Sequence, residues 1–166
     1  FIFSMKANLL LAYRRMAFPV GIITTTCKKD IGILKEGSFR GSTVSSFRVL
    51  DLEGNFYFTY NKSRIMVSAL EDSCAMHFLH QGQEDLALKF AVSRLTCEEQ
   101  FEGLNIKMKH GLPILSHYHS LLLCKIEKAV EHGSGVVYLG KIFHAEEKET
   151  KPLLYIHNGT VAALNI

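Results

Sequence analysis

Gly41-Ser42-Thr43-Val44-Ser45-Ser46-Phe47 places four hydroxyls beside a glycine. Glycine lets a backbone come close to another group, and hydroxyls both donate and accept. The run can therefore converge on a polar ring edge or a phosphate. A solvated, serine-rich strand end is the competing reading. A second stretch, Asn61-Lys62-Ser63-Arg64, supplies two cations and two polar side chains directly before a short helical segment. The free N–H groups at a helix start favour an anion, and so do lysine and arginine. Here the alternative is ordinary helix capping with the basic residues in solvent.

Other chemistry-bearing residues are less well grouped. His117-Tyr118-His119 sets two imidazoles on one face of a predicted strand, which suits a metal, but no third ligand stands nearby. Polar surface histidines are the simpler expectation, and His77 and His80 are read the same way. Cys27, Cys74, Cys97 and Cys124 lie far apart with no Cys-x-x-Cys pair, which argues for reduced thiols over a zinc site. Cys27 and Cys124 fall in apolar strands, where buried, inert thiols are the usual outcome.

The elements that must carry these residues follow from periodicity. Ala7, Leu10, Leu11, Arg14 and Arg15 have helical spacing across Lys6 to Met16, ended by Pro19 and Gly21. Ile22 to Cys27 is β-branched and threonine-rich, and further short extended segments run to Phe47. Asn55 to Tyr60 reads as a strand, Ile65 to Leu70 as a short helix, and Cys74 to Leu79 as a strand. Gln83 to Ala91 carries acids at its start and Lys89 near its end, the polarity a helix dipole prefers. Beyond a loop at Gly111 to Pro113, strands are predicted at His117 to Val130, Val136 to Ala145, Leu153 to Ile156 and Val161 to Leu164. Many short strands with few helices and no regular strand–helix alternation predict a mainly β fold, a barrel with a few flanking helices.

Whole-chain properties narrow the function classes. At 166 residues one domain is expected, and 48% apolar with 21% charged residues is the composition of a globular chain. A net charge of +3, with the basic residues scattered, argues against nucleic acid as a partner. No apolar run approaches the roughly 20 residues that span a bilayer, and no secretory pattern stands at the N-terminus. No membrane association and a cytoplasmic location are the expectations.

The two polar stretches recur, in this order, in the flavin reductase-like family with the FMN-binding split barrel, which the chain resembles. Phe18-Pro19-Val20-Gly21-Ile22 is similar to the family's Phe-(Pro/Ala)-Thr-Gly-Val, and Gly41 to Phe47 to its Gly-Met-Thr-Val-Asn-Ser-Phe, with Ser45 in place of asparagine. The likeness continues in Gln83-Glu84-Asp85-Leu86-Ala87, Gly111-Leu112-Pro113-Ile114-Leu115, Tyr138-Leu139-Gly140-Lys141-Ile142 and Pro152-Leu153-Leu154-Tyr155. Short as each motif is, six in register cover nearly the whole chain.

The resemblance implies a homodimeric split barrel with FMN, or FAD, at the barrel mouth near the subunit interface. By position, Thr43, Val44, Ser45 and Ser46 would contact the isoalloxazine edge. Asn61, Lys62, Ser63 and Arg64 would approach the ribityl chain and phosphate. The implied activity is that of an NAD(P)H-dependent flavin reductase. Hydride would pass from NADH or NADPH to the flavin, with reduced flavin supplied to a partner monooxygenase. The chemistry belongs to the cofactor, so no catalytic side chain is expected. The alternative is a non-catalytic FMN-binding electron-transfer protein of the same fold. The loss of Gly-Asp-His favours it modestly, and it is one of several departures. Gly133-Ser134-Gly135 replaces the family's Gly-Asp-His, His132 stands three residues early, Thr160-Val161 follows Gly159 without the usual aromatic residue, and Asp-Pro-Pro is reduced to Asp51-Leu52-Glu53.

Overall fold

The computed structural model describes Leu9, Ala12, residues 16–156 and residues 160–163. Strands come in chain order as β1 (Ala17–Pro19), β2 (Gly21–Thr26), β3 (Phe39–Val44), β4 (Arg48–Val49), β5 (Asn55–Asn61), β6 (Ser73–Phe78), β7 (Ile106–Lys109), β8 (Leu112–Leu115), β9 (Ser120–His132), β10 (Gly135–Glu147), β11 (Leu153–Ile156) and β12 (Thr160–Ala163). Among the described residues from Ala17 on, three short helices interrupt them: α1 (Met66–Ala69), α2 (Glu84–Ala91) and α3 (Cys97–Phe101). The predicted mainly β architecture with flanking helices is the observed one.

Seven strands form one antiparallel sheet in the order β3-β2-β6-β9-β10-β5-β4. A single bent stretch of chain closes it. β3 pairs with β2 as far as Val44, the chain turns through Ser45, Ser46 and Phe47, and β4 then pairs with β5 through Arg48↔Tyr57 and Val49↔Phe56. Side chains alternate across a strand, so closure gathers one face of every strand inside. That interior holds Ile23, Val44, Phe56, Phe58, Tyr60, Cys74, Met76, Cys124, Val136 and Tyr138 in one cluster. Phe47, at the bend, stacks on Phe56 at 5.1 Å and on Phe58 at 5.9 Å, filling the barrel where the ladder is interrupted.

Two further layers cover the outside. α2 packs Ala87 and Phe90 with Ile22 and Leu79, while Leu112, Ile114 and Tyr118, from β8 and the segment after it, cover Ala75, Leu121 and Leu123. A three-stranded sheet, β1-β11-β12, completes the fold. No helix among the described residues is long and apolar enough to cross a membrane.

Several expectations are corrected. Of the predicted N-terminal helix, Leu9 and Ala12 are helical, Met16 is not, and the remainder lies outside the described residues. Pro113 is not in a loop but in β8, where its carbonyl accepts a hydrogen bond from Thr24 Oγ1 (2.6 Å). The turn of that hairpin is narrower than predicted, with His110 and Gly111 at φ 51° and 75°. His117, Tyr118 and His119 precede β9 instead of lying on it, because Tyr118 turns inward to the core while His119 Nδ1 meets Thr150 Oγ1 (3.0 Å). All four cysteines are free and buried.

His77 is not a surface histidine either. It is completely buried on β6, with Nδ1 3.1 Å from Ile22 O and Nε2 accepting from Leu115 N–H at 3.2 Å. The accepting Nε2 leaves the proton on Nδ1, which donates to Ile22, so the ring is neutral. Burial lowers its pKa from 6.5 to about 4. Between those values the unfolded chain binds a proton that the folded chain refuses. Stability therefore falls with pH, by about 3 kcal/mol from pH 7 to pH 4 for this group alone. Urea midpoints across that range should drop less steeply for His77→Gln than for the wild type; equal slopes would contradict this assignment. His80 is partnered too, its Nδ1 lying 2.7 Å from Gln81 O.

Candidate functional site

The bend that closes the barrel also opens a cleft. About 250 Å³ in volume, it is lined by Thr43, Val44, Ser45 and Ser46 from the end of β3 and the bend, by Thr59, Tyr60 and Asn61 of β5, and by Arg64. Six of the eight sequence-predicted site residues thus meet on one surface. Lys62 and Ser63 do not line it; they lie between Asn61 and Arg64 in the turn that follows β5. Thr59 and Tyr60 are lining residues that motif reading missed. Their nearest signal was position, since both directly precede Asn61 on β5.

Each side chain has a specific posture. Ser46 Oγ donates to Thr59 O and accepts from Thr59 N–H, both at 3.0 Å, and so replaces the ladder bonds lost at the bend. Thr43 Oγ1 donates to Ala87 O of α2 at 2.5 Å. Neither hydroxyl is idle, contrary to the simple expectation that all of them would face a ligand. Ser45 Oγ and Asn61 Nδ2, by contrast, have no hydrogen-bond partner among the described residues. Val44 and Tyr60 line the cleft and are buried against the barrel's interior cluster. Tyr60 donates its hydroxyl to Ser42 O at 3.3 Å, and burial pushes that phenol well above its ordinary pKa, so it stays a donor.

Gly41 has a different role from the one its permissiveness suggests. A Cβ there would lie 2.4 Å from Phe90 Cε1, so the missing side chain admits the α2 ring. Its peptide group is engaged as well. Gly41 N–H donates to Gln100 Oε1 (3.2 Å), and Gln100 Nε2 donates to Gly41 O (3.1 Å). That clamp from α3 covers an otherwise open strand edge. Since Gly41 points away from β2, the alternation of an antiparallel ladder turns the peptide edge of Thr43 outward too.

The cations are held by the fold. Arg64 Nη2 donates to Ser42 Oγ (3.0 Å), and both terminal nitrogens reach Ala91 O at the end of α2 (3.2 and 3.3 Å). Buried Arg40 donates to Ser93 O (3.0 Å) and Leu95 O (2.6 Å), so two arginines anchor the connection between α2 and α3. Asn61 Oδ1 accepts from Ser63 N–H (3.0 Å) and Ser63 Oγ (2.9 Å), a local turn that shapes the approach to Arg64. α1 has only four residues and no side-chain cap, so the helix dipole expected there is a minor contributor. The positive character comes from Lys62 and Arg64 themselves.

Beyond the end of β5, β9 and β10 turn through Gly133 and Ser134, with Gly133 at φ 56°. Lys62 N–H donates to Ser134 O (2.9 Å), which ties this tip to the end of β5. His132 is the exposed last residue of β9, paired with Gly135.

Similar structures share this arrangement of strands. The NADH:FAD oxidoreductase SgcE6 of Streptomyces globisporus C-1027, in complex with NAD and FAD fragments, matches with a TM-score of 0.79 and 21% identity over 96% of this chain and 92% of that one. Nitrilotriacetate monooxygenase component B of Mycobacterium thermoresistibile matches at 0.81 and 23% over 96% and 89%. A longer protein of Sinorhizobium meliloti 1021 matches at 0.79 and 21% over 92% of this chain, which spans only 51% of that protein. No curated protein matches in sequence. The model of the flavin reductase like domain matches residues 13–164. With its closed seven-stranded sheet, bent β3–β4 stretch and near end-to-end match, the chain belongs to the flavin reductase like domain family.

Proposed function

We propose that the cleft binds a flavin nucleotide, FMN or FAD, and that the chain is an NAD(P)H-dependent flavin reductase. In this reading it works as a homodimer and supplies reduced flavin to a monooxygenase partner. The observation that carries the proposal is the meeting of Thr43–Ser46 with Asn61 and Arg64 on one open cleft at the barrel's bend. Family membership supports it. So do two proteins of like fold, one an NADH:FAD oxidoreductase and one a monooxygenase component.

The donor set fits a flavin nucleotide. Ser45 Oγ, Asn61 Nδ2 and the outward peptide edge of Thr43 are polar groups suited to the rim of a heteroaromatic ring and its polyol chain. Val44 and Tyr60, buried at the base of the cleft, back it with the barrel's core. Arg64 and Lys62 suit a phosphate. A bound flavin supplies the hydride-accepting chemistry. The chain binds and orients it, keeps Tyr60 protonated beside it, and places no acid or base of its own at the ring.

The electron-carrier reading rests on one feature. The two-residue turn at Gly133 and Ser134 holds no imidazole, and His132 stands before it, three residues short of the position where many reductases of this family carry one. Steady-state oxidation of NADH and NADPH with added FMN or FAD separates the two. Turnover that scales with free flavin is expected of the reductase. Flavin binding without turnover would select the carrier, and neither would refute both.

A further inference from the structure

Lys62 is the more exposed of the two cations near the cleft, and it is already paired. Its Nζ lies 2.5 Å from Oε2 of Glu131, which is 69 residues away on β9. The side chains are 40% and 70% exposed, so water and salt reach the pair easily. An exposed ion pair of this kind is weak and readily exchanged. Glu131 sits one residue before His132 at the hairpin end, and the same tip is tied to Lys62 through Ser134 O (2.9 Å). The chain therefore carries its own carboxylate at the place where the phosphate of a nucleotide would meet Lys62.

We infer that Glu131 is an internal competitor for Lys62, which weakens the hold on the flavin's phosphate and keeps the flavin an exchangeable substrate. This rests on the flavin reading of the cleft. Arg64 cannot be displaced in the same way, because its partners are the neutral Ser42 hydroxyl and Ala91 carbonyl, both of which leave its charge uncompensated. The two cations thus have different duties. Arg64 is a fixed donor, while Lys62 is shared between a resident carboxylate and an incoming phosphate. A carboxylate left beside a bound phosphate also repels it, and both effects are relieved when the flavin departs.

The test compares FMN with riboflavin, which has the ring and the polyol but no phosphate. Flavin fluorescence gives the dissociation constants and stopped flow gives the release rates. Glu131→Gln removes the charge but keeps the size of an exposed side chain, so the fold is undisturbed. FMN is expected to bind about five-fold more tightly to this variant and to leave correspondingly more slowly, with riboflavin unchanged. In a Lys62→Gln background the same substitution should lose most of its effect. Equal changes for FMN and riboflavin, or no change for either, would overturn the role of Glu131 while leaving the flavin cleft intact. A wild type that binds neither flavin would overturn the cleft reading, and this inference with it.

Discussion

Gly140→Ala is expected to destabilise the fold by about 3 kcal/mol or more, although it adds a single methyl group. Gly140 lies on β10 where the pairing with β9 slips, Leu139 facing Lys128 and Gly140 facing Ile126. That bulge presses the two backbones together. A Cβ at Gly140 would lie 2.0 Å from Lys125 O and 2.9 Å from Phe56 Cζ. The first of these is backbone and cannot rotate aside, and the second belongs to a fully buried ring in the barrel interior. Relief requires the bulge to be rebuilt or the strands to part. For a chain of this size the loss lowers the melting temperature by about 10 °C. A variant melting with the wild type would mean that the strands do not approach so closely.

Arg64→Ala is expected to weaken FMN binding about 10- to 100-fold while changing riboflavin binding by less than about 3-fold. The guanidinium lines the cleft, and Ser42 and Ala91 hold it there. A charge-assisted hydrogen bond to a phosphate contributes more than a neutral one, and this donor needs no ordering at the moment of binding. The contrast between the two flavins separates loss of a phosphate partner from general damage to the cleft. Damage would affect both ligands alike, since riboflavin would use the same ring and polyol contacts. Equal losses would therefore remove the phosphate from Arg64.

Much of this architecture is legible in the chain. Phe56, Phe58 and Tyr60 alternate as a half-buried strand should, and α2 announces itself through Glu84 and Asp85 at its start and Lys89 in its last turn. α3 escaped notice although Thr96 and Glu99 form a reciprocal capping box, because five residues are too few to show a period. β7, mostly exposed, carries too little apolar signal to stand out. His117 to His119 reads as strand because its alternation mimics one, whereas burial of Tyr118 comes from the fold around it.

The site divides in the same way. Both polar stretches can be picked out by residue type, because hydroxyls, cations and glycine cluster in them. What those residues do inside the fold depends on partners far along the chain. Thr43 reaches Ala87, 44 residues on, and Lys62 reaches Glu131, 69 residues on. Gly41 owes its identity to Phe90. No local pattern carries such information, since pairings of this range are set by strand order and by the packing of α2 on the sheet.

The most direct test is the visible absorption of the purified protein, titrated with FMN and FAD and then with NADH and NADPH without oxygen. Saturable binding of one flavin per chain, followed by bleaching of its band at catalytic rates, is the result predicted for a flavin reductase. A chain that leaves both flavins free in solution would contradict the flavin cleft itself.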